Sequence, residues 1–338
     1  MRRAGFAVAA AVVLLAGCTA APEDAPVPSP PPPQAGVQTA ERVMQVTEVH
    51  EATGMTLLEG PTFGADGDLY LVDVTAPPGG AKVIRVDVEA KTSESVYTDD
   101  VSALTSAQIG PEDGRLYVTD YLGGAVLSMS EEGSDVEKVF TGPVNGVPMQ
   151  PDDLSFGPDG SLYITDAAGA QAPYWEPTGR VIRVDSQSGS ATVLADELPS
   201  PNGIAFSPEQ DALWVSLNTG NRVDRLTLTP GGDEVATAYP AIYASAGIGQ
   251  VDSIAVDSAG NLYVGLHGRP EILVYDDEGQ LLTTVTIPDE DAGGLSSATN
   301  IAIAPGTSTA YATVSGTAGG YLYSFEALAE GIQQSNGG

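Results

Sequence analysis

The sequence predicts an all-β fold, a six-bladed β-propeller of four-stranded antiparallel blades around a central channel. Three observations predict it. A strand–turn–strand pattern recurs six times, and the aromatics that close it (Tyr70, Tyr117, Tyr163, Trp214, Tyr263, Tyr311) stand 47, 46, 51, 49 and 48 residues apart. The 338 residues include 40 Gly and 25 Pro, which suit short strands and tight turns better than long helices. A polar residue also recurs at one register of every repeat. A period near 50 with four short strands per unit is the mark of propeller blades, and six such units account for residues 43–330.

Residues 1–17 are expected to be a signal peptide rather than structure. Arg2-Arg3 is followed by an apolar run over 7–15, too short to span a bilayer as a helix. Leu15-Ala16-Gly17-Cys18 then resembles the bacterial lipobox, and the chain's single cysteine stands at the lipidated position. The expectation is an exported protein, lipid-anchored through Cys18 to the outer face of a bacterial membrane. Residues 18–42 are expected to be a tether, since 22–34 hold seven prolines and favour extended polyproline II. Residues 331–338 are expected to be a disordered tail.

Within each repeat, residues 60–63 lead to Leu69-Tyr70, 107–109 to Leu116-Tyr117, and 153–156 to Leu162-Tyr163. The pattern continues with 203–206 to Leu213-Trp214, 253–256 to Leu262-Tyr263 and 301–303 to Ala310-Tyr311. Asp66-Gly67, Asp159-Gly160 and Ala259-Gly260 are hairpin signals between the runs. A third strand follows at 82–87 and 180–185, and a weaker fourth at 95–97. Residues 43–49 are expected to supply a strand to the last blade and close the ring.

Composition excludes several functions. With 45 Asp+Glu against 13 Lys+Arg, the formal charge of −32 is opposite to what a phosphate-tracking nucleic-acid binder needs. At 42% apolar and 17% charged residues, the chain is not a disordered acidic tail. One cysteine rules out an intramolecular disulfide, and two histidines rule out a three-histidine metal site.

The position 11 or 12 residues before each aromatic holds Glu59, Ser106, Asp152, Asn202, Asp252 and Asn300. Near-rotational symmetry points equivalent positions at one axis, so three carboxylates converge with three neutral oxygen-bearing side chains. Like charges that close favour protonation or a cation. Oxygen ligands suit a hard cation, Ca²⁺ first, with Mg²⁺, Mn²⁺ or Zn²⁺ as substitutes, zinc normally recruiting nitrogen or sulfur. The plainer alternative is that Asp and Asn precede strands to bond nearby backbone.

Glu59-Gly60-Pro61, the run 201–205, Val251-Asp252-Ser253 and the run 260–264 resemble blade signatures of the senescence-marker-protein/gluconolactonase/luciferin-regenerating family. The likeness covers residues 50–328. Asp152-Asp153-Leu154 and Asp252-Ser253 resemble its drug-responsive lactonase branch more than the gluconolactonase–regucalcin branch, which usually has Asn at the first position and Asp-Gly at the second. Val251 replaces a usual proline. The resemblance implies Ca²⁺ ligation by Glu59, Asp152, Asn202 and Asp252, with Ser253 contributing, and Asp252 as the acid/base of lactone hydrolysis. In that reading the metal polarises the lactone carbonyl while Asp252 exchanges protons with water and the leaving alkoxide.

Covalent catalysis is not expected, since neither histidine falls in the ring register and no Gly-x-Ser-x-Gly elbow is present. Strand direction puts loops 75–81, 122–124 and 167–178 around the site. Tyr174 and Trp175 then form a lid over an apolar substrate or pack their own loop. Ser106, Asn300, Asp120 and His267 are further pocket candidates, and His50 a rim residue. Asp73, Asp120 and Asp166 end second strands, where they bind substrate hydroxyls or cap the strand ends. A monomer acting on a small lactone or ester is expected. The alternative function is a non-catalytic, metal-stabilised propeller serving as a ligand or protein platform.

Overall fold

Short β-branched and aromatic runs punctuated by Gly and Pro become strands along the whole described chain. The computed structural model describes residues 35–334; the expected signal peptide, Cys18, the expected tether up to residue 34, and residues 335–338 lie outside the described residues. Among the described residues there are 25 strands and one short 3-10 turn, Asp289–Asp291. Two strands come first, β1 (Gly36–Thr39) and β2 (Glu41–Thr47).

Four-stranded units follow. The first is β3 (Leu58–Phe63), β4 (Leu69–Asp73), β5 (Ala81–Asp87) and β6 (Thr92–Thr98). The second is β7 (Leu104–Ile109), β8 (Leu116–Asp120), β9 (Ala125–Met129) and β10 (Glu137–Thr141). Then come β11 (Pro151–Phe156), β12 (Leu162–Asp166), β13 (Gly179–Val184) and β14 (Ala191–Leu198). The next is β15 (Pro201–Phe206), β16 (Ala212–Leu217), β17 (Arg222–Leu228) and β18 (Val235–Tyr243). These four units are separate four-stranded antiparallel sheets.

The rest form one nine-stranded sheet. In it, β19 (Gln250–Val256), β20 (Leu262–His267), β21 (Glu271–Tyr275) and β22 (Leu281–Thr286) make one meander. The other is β23 (Leu295–Ile303), β24 (Thr309–Gly316), β25 (Gly319–Glu326) and, from the N-terminus, β2. A single pairing, Leu266 with Ala298, joins the two. Each first strand neighbours the next, β3 to β7, β11, β15, β19 and β23, and β23 returns to β3. The innermost strands thus form a closed ring in a propeller-like all-β fold.

The recurring aromatic is the seal between neighbouring sheets. Tyr117 meets Phe156 and Tyr163 meets Phe206 edge to face at 4.9 Å, and Tyr311 meets Phe63 at 5.9 Å. Each such pair adds about 0.5–1.5 kcal/mol beyond its burial. Burial falls from the axis outward, as in β4, buried throughout, against β6, largely exposed.

Both ends of the chain differ from expectation. The tether was expected to run to residue 42, but β1 pairs in parallel with β22, and β2 occupies most of the strand expected over 43–49. The physical reason is that outer strands leave backbone groups unpaired, and these recruit the extended segment beside them. The tail was expected to be disordered from 331. Instead Gly331 bridges Asp257 and Pro305, and Phe156 N donates to Gln334 Oε1 at 2.7 Å. Residues 332–334 line clefts with the far ends of β3, β7 and β23 on one side and of β11 and β15 on the other. Residues 331–334 therefore cross the axis opposite the acidic ring.

Candidate metal and catalytic site

The polar ring is built on irregular strand pairing. In β11 the residues Asp152 and Asp153 together face only Thr165 of β12. Asn202-Gly203 face Ser216, Asp252-Ser253 face Gly265, and Thr299-Asn300 face Thr313 in the same way. In the first unit the extra residue falls at Gly60-Pro61, just after Glu59, and in the second at Thr105, just before Ser106. Such bulges break the alternation of a strand and re-aim side chains, which is how consecutive residues come to face one space. Gly60 is required: its φ is +56°, and a Cβ there would stand 2.4 Å from Ala107 N in the next first strand.

In four of the six units a hydroxyl two residues after the recurring aromatic braces the bulge (Thr119, Thr165, Ser216 and Thr313), whereas Val72 and Gly265 hold that position in the other two. Thr165 Oγ1 accepts from Asp153 N at 2.9 Å and donates to Asn202 O of the next unit. Ser216 Oγ accepts from Gly203 N at 2.7 Å and donates to Asp252 O at 2.5 Å. Thr119 Oγ1 donates to Asp152 O at 2.6 Å. Ring residues in adjacent units are thus tied through their backbones.

Across the axis, Ser253 Oγ donates to Asp153 Oδ2 at 2.5 Å and touches Asn202 Oδ1 at 3.4 Å. Asn202 Nδ2 donates to Asp152 Oδ2 at 3.3 Å. His267 Nδ1 stands 3.8 Å from Asp252 Oδ2. Burial, then Asp252, Asp152, Asp153 and Asp73, raise Glu59 well above the usual carboxylate range. Burial followed by Asp152 does the same for Asp252, although the Asn202 amide favours its charged form. Asp153 is raised by burial and by Asp152, against the Ser253 bond. Burial alone pushes Asp152 up to about 7. No lysine or arginine figures in any of these shifts.

Four carboxylates with no counter-charge invite a cation, and the donor chemistry fits a hard one. Asn300 Oδ1 and Nδ2 are buried without a hydrogen-bond partner among the described residues, while the Ser106 hydroxyl favours the charged form of Asp153. Every anionic donor is an oxygen, as Ca²⁺ prefers. Among the described residues no three His, Cys, Asp or Glu side chains form a ready-made metal-holding group. The carboxylates surround the axis rather than close on one point, so the Asn202 amide and the hydroxyls belong to any ligand set.

The SMP-30/gluconolactonase/LRE-like family model matches residues 57–315. This chain belongs to that family. Lactonase drp35 of Staphylococcus haemolyticus is 28% identical over 285 residues, 81% of this chain and 84% of its own length. Lactonase drp35 of Staphylococcus epidermidis is 30% identical over 257 residues, 74% and 75% of the two chains. In fold, a luciferin-regenerating enzyme matches with TM-score 0.70 at 17% identity, over 88% of this chain and 98% of that one. The calcium-binding protein regucalcin of Agrobacterium tumefaciens also scores 0.70, at 16% identity over 89% and 99%.

Around this family member's ring, the other candidates take distinct places. Ser106 and Asn300 lie buried at the axis, Asn300 with both amide atoms unpaired among the described residues. His267 borders Asp252. Asp120, a pocket candidate, gives one oxygen to backbone: its Oδ1 accepts from Ala103 N at 3.3 Å and Gly123 N at 3.0 Å. Asp166 accepts from Gln150 N at 2.8 Å and pairs with Arg180, and Asp73 takes Thr75 and His50, the last at 2.7 Å. All three are caps holding the segments that enter the first strands. Tyr174 and Trp175 meet edge to face at 5.1 Å on loop 167–178 and are otherwise exposed.

Asp153 is the site residue that sequence reasoning missed, because alternation assigns it to the face opposite Asp152. The recurring Thr119, Thr165, Ser216 and Thr313, each two residues after an aromatic, were a readable sign of the bracing beneath the ring.

Proposed function

We propose that this chain is a calcium-dependent lactone hydrolase on a six-bladed propeller, the nine-stranded sheet being two blades that touch at Leu266 and Ala298. The observation that carries the reading is the group of four uncompensated carboxylates (Glu59, Asp152, Asp153, Asp252) at the axis. Kinship with proteins named lactonase drp35 supplies the reaction class.

Glu59, Asp152, Asn202 and Asp252 would hold the ion, with Ser253 completing the set. Bound Ca²⁺ supplies the charge that polarises a lactone carbonyl and stabilises the developing oxyanion. Asp252, buried and flanked by other acids, is the residue to take a proton from the attacking water and return it to the departing alkoxide. Asp153 does not reach for substrate in this scheme; bonded to Ser253, it holds the Asp252-Ser253 bulge in place. Mg²⁺, Mn²⁺ and Zn²⁺ are the substitutes to try.

A screen of γ- and δ-lactones with Ca²⁺ and with EDTA tests the reading. Hydrolysis that disappears in EDTA and returns with Ca²⁺ is the expected result. If no lactone is hydrolysed while Ca²⁺ still raises the melting temperature, the chain is a metal-stabilised binding platform instead. The lipobox-like run Leu15-Ala16-Gly17-Cys18 supports a location in the cell envelope, with a tether through Cys18 to the outer face of a membrane. Cys18→Ser should leave an uncleaved precursor or move the protein to the soluble fraction; a mature mutant that stays with membranes would sink the anchor.

A further inference from the structure

The acidic ring is bordered by an apolar wall. First strands begin and second strands end at the carboxylate end of the axis, so the loops that follow second strands and those that precede first strands gather there. On these loops Leu122 is 69% exposed, Tyr174 62% and Trp175 68%, and Val147 is exposed as well. Val101 and Ile248 continue the rim to either side. At the opposite end the turns expose only Val136 and Leu328 among large apolar residues described. In a chain of formal charge −32, this one-sided placement asks for an explanation.

The wall is continuous with the site. Gly142 N donates to Gly124 O at 3.0 Å, lacing loop 121–124 to loop 142–150. Arg180 donates to Val144 O at 3.0 Å and Pro148 O at 3.2 Å while paired with Asp166, which fastens loop 142–150 to the next unit. Two residues past Gln150 stand Asp152 and Asp153. Tyr121, next to Leu122 in the loop after β8, has its phenol pushed up by burial and then by Asp152 and Asp166. At the other end of the axis residues 331–334 cross the channel, leaving the walled end as the approach.

Outside the ring itself, the carboxylates that end second strands at this mouth are engaged. Asp120 holds Ala103 N and Gly123 N, Asp166 holds Gln150 N and Arg180, and Asp73 holds Thr75 and His50. Beyond the ring a sugar lactone would find few free carboxylates, whereas an apolar chain would cover Leu122, Tyr174 and Trp175. Glu48, Glu51, Asp99, Asp100 and Glu176 share this end, which works against an anionic membrane as the occupant.

We propose that the site takes amphipathic lactones or esters, the ester group at the carboxylate ring and an extended apolar tail along Leu122, Val147, Tyr174 and Trp175. The hydrolysis of such molecules rests on the function proposed above; the tail binding does not.

The test is a series from γ-butyrolactone through γ-hexalactone, γ-octalactone and γ-decalactone to γ-dodecalactone, with gluconolactone beside it, on the full chain with Ca²⁺. kcat/KM should rise about two- to fourfold per buried methylene until the wall is covered. In Leu122→Ser and Trp175→Ser the ratio of γ-dodecalactone to γ-butyrolactone should fall towards one. A flat series, or a preference for gluconolactone, overturns the inference. Trp175 reports binding separately from turnover, because Trp214 is buried and Trp175 is not. If nothing is hydrolysed, a saturable blue shift with γ-dodecalactone, weakened in Leu122→Ser, upholds the tail site and fails the hydrolase; no shift fails both. A shift on phosphatidylcholine vesicles but not with monomeric lactones makes the wall a membrane surface. A dimer that Trp175→Ser dissociates makes it an interface between copies. Either result overturns the proposal.

Discussion

The Ser253 hydroxyl donates to the Asp153 carboxylate at 2.5 Å, although the two stand on first strands separated by β15. The bond therefore crosses the axis instead of following the ring. It links the bulge that carries Asp252 to the bulge that carries Asp152, so the two halves of the candidate ion site cannot shift independently.

Asp153→Asn should separate the chelated protein from the loaded one. In EDTA at pH 8 the substitution removes a buried like charge from among Glu59, Asp152 and Asp252, and the melting temperature should rise. With Ca²⁺ it removes part of the attraction for the ion, and the calcium-induced rise should shrink. Scans in which the mutant melts lower by the same amount under both conditions would mean that Asp153 is only a structural brace.

Asp252 has two jobs in the proposed mechanism and Glu59 has one. At saturating Ca²⁺, Asp252→Asn should retain the ion yet lose about 10²–10⁴-fold in hydrolysis, the usual contribution of a positioned acid/base. Glu59→Gln should weaken calcium affinity, with activity recovered as Ca²⁺ is raised. A fully loaded Asp252→Asn protein turning over its best lactone at the wild-type rate removes the proton shuttle.

The raised carboxyls set a pH dependence whose sign is unusual for acids. Asp152 holds its proton up to about 7 in the folded, metal-free chain, against about 3.9 when unfolded. The folded state thus binds more protons between those values, and its stability from this group is present at pH 4 and lost as pH rises through 7. In EDTA the melting temperature should fall from pH 5 to pH 8, Ca²⁺ should restore it at pH 8, and calcium affinity should weaken below pH 7. Asp152→Asn should flatten the EDTA curve; a wild-type curve that rises over this range contradicts the shift.

Thr165 is fully buried and joins two units through one hydroxyl. Thr165→Val keeps the shape but strands Asp153 N and Asn202 O, each of which costs about 1–3 kcal/mol when buried without a partner. Denaturant unfolding should show a loss of this order, with calcium binding weakened in parallel. An unchanged midpoint would remove the hydroxyl brace from the account of the ring.

The strand repeat, its hairpin turns and the polar residue at one register were legible in the sequence, because each depends on local spacing that every repeat copies. Tyr117 and Tyr163 announced the repeat, and the structure uses them to join one sheet to the next. Glu59, Asp152, Asn202 and Asp252 could be placed at one axis for the same reason. Whether a polar group there is free or already engaged was not legible. Asp120 and Asp166 look in sequence like any acids at a strand end, yet their oxygens are taken by Ala103 N and Gln150 N across the sheet. Asp153 faces the axis because two residues of β11 oppose one of β12, and β1 pairs because β22 leaves an edge open. Periodicity along the chain determines which residues approach the axis. Pairing between strands distant in sequence decides how they are turned and what is left of their bonding capacity.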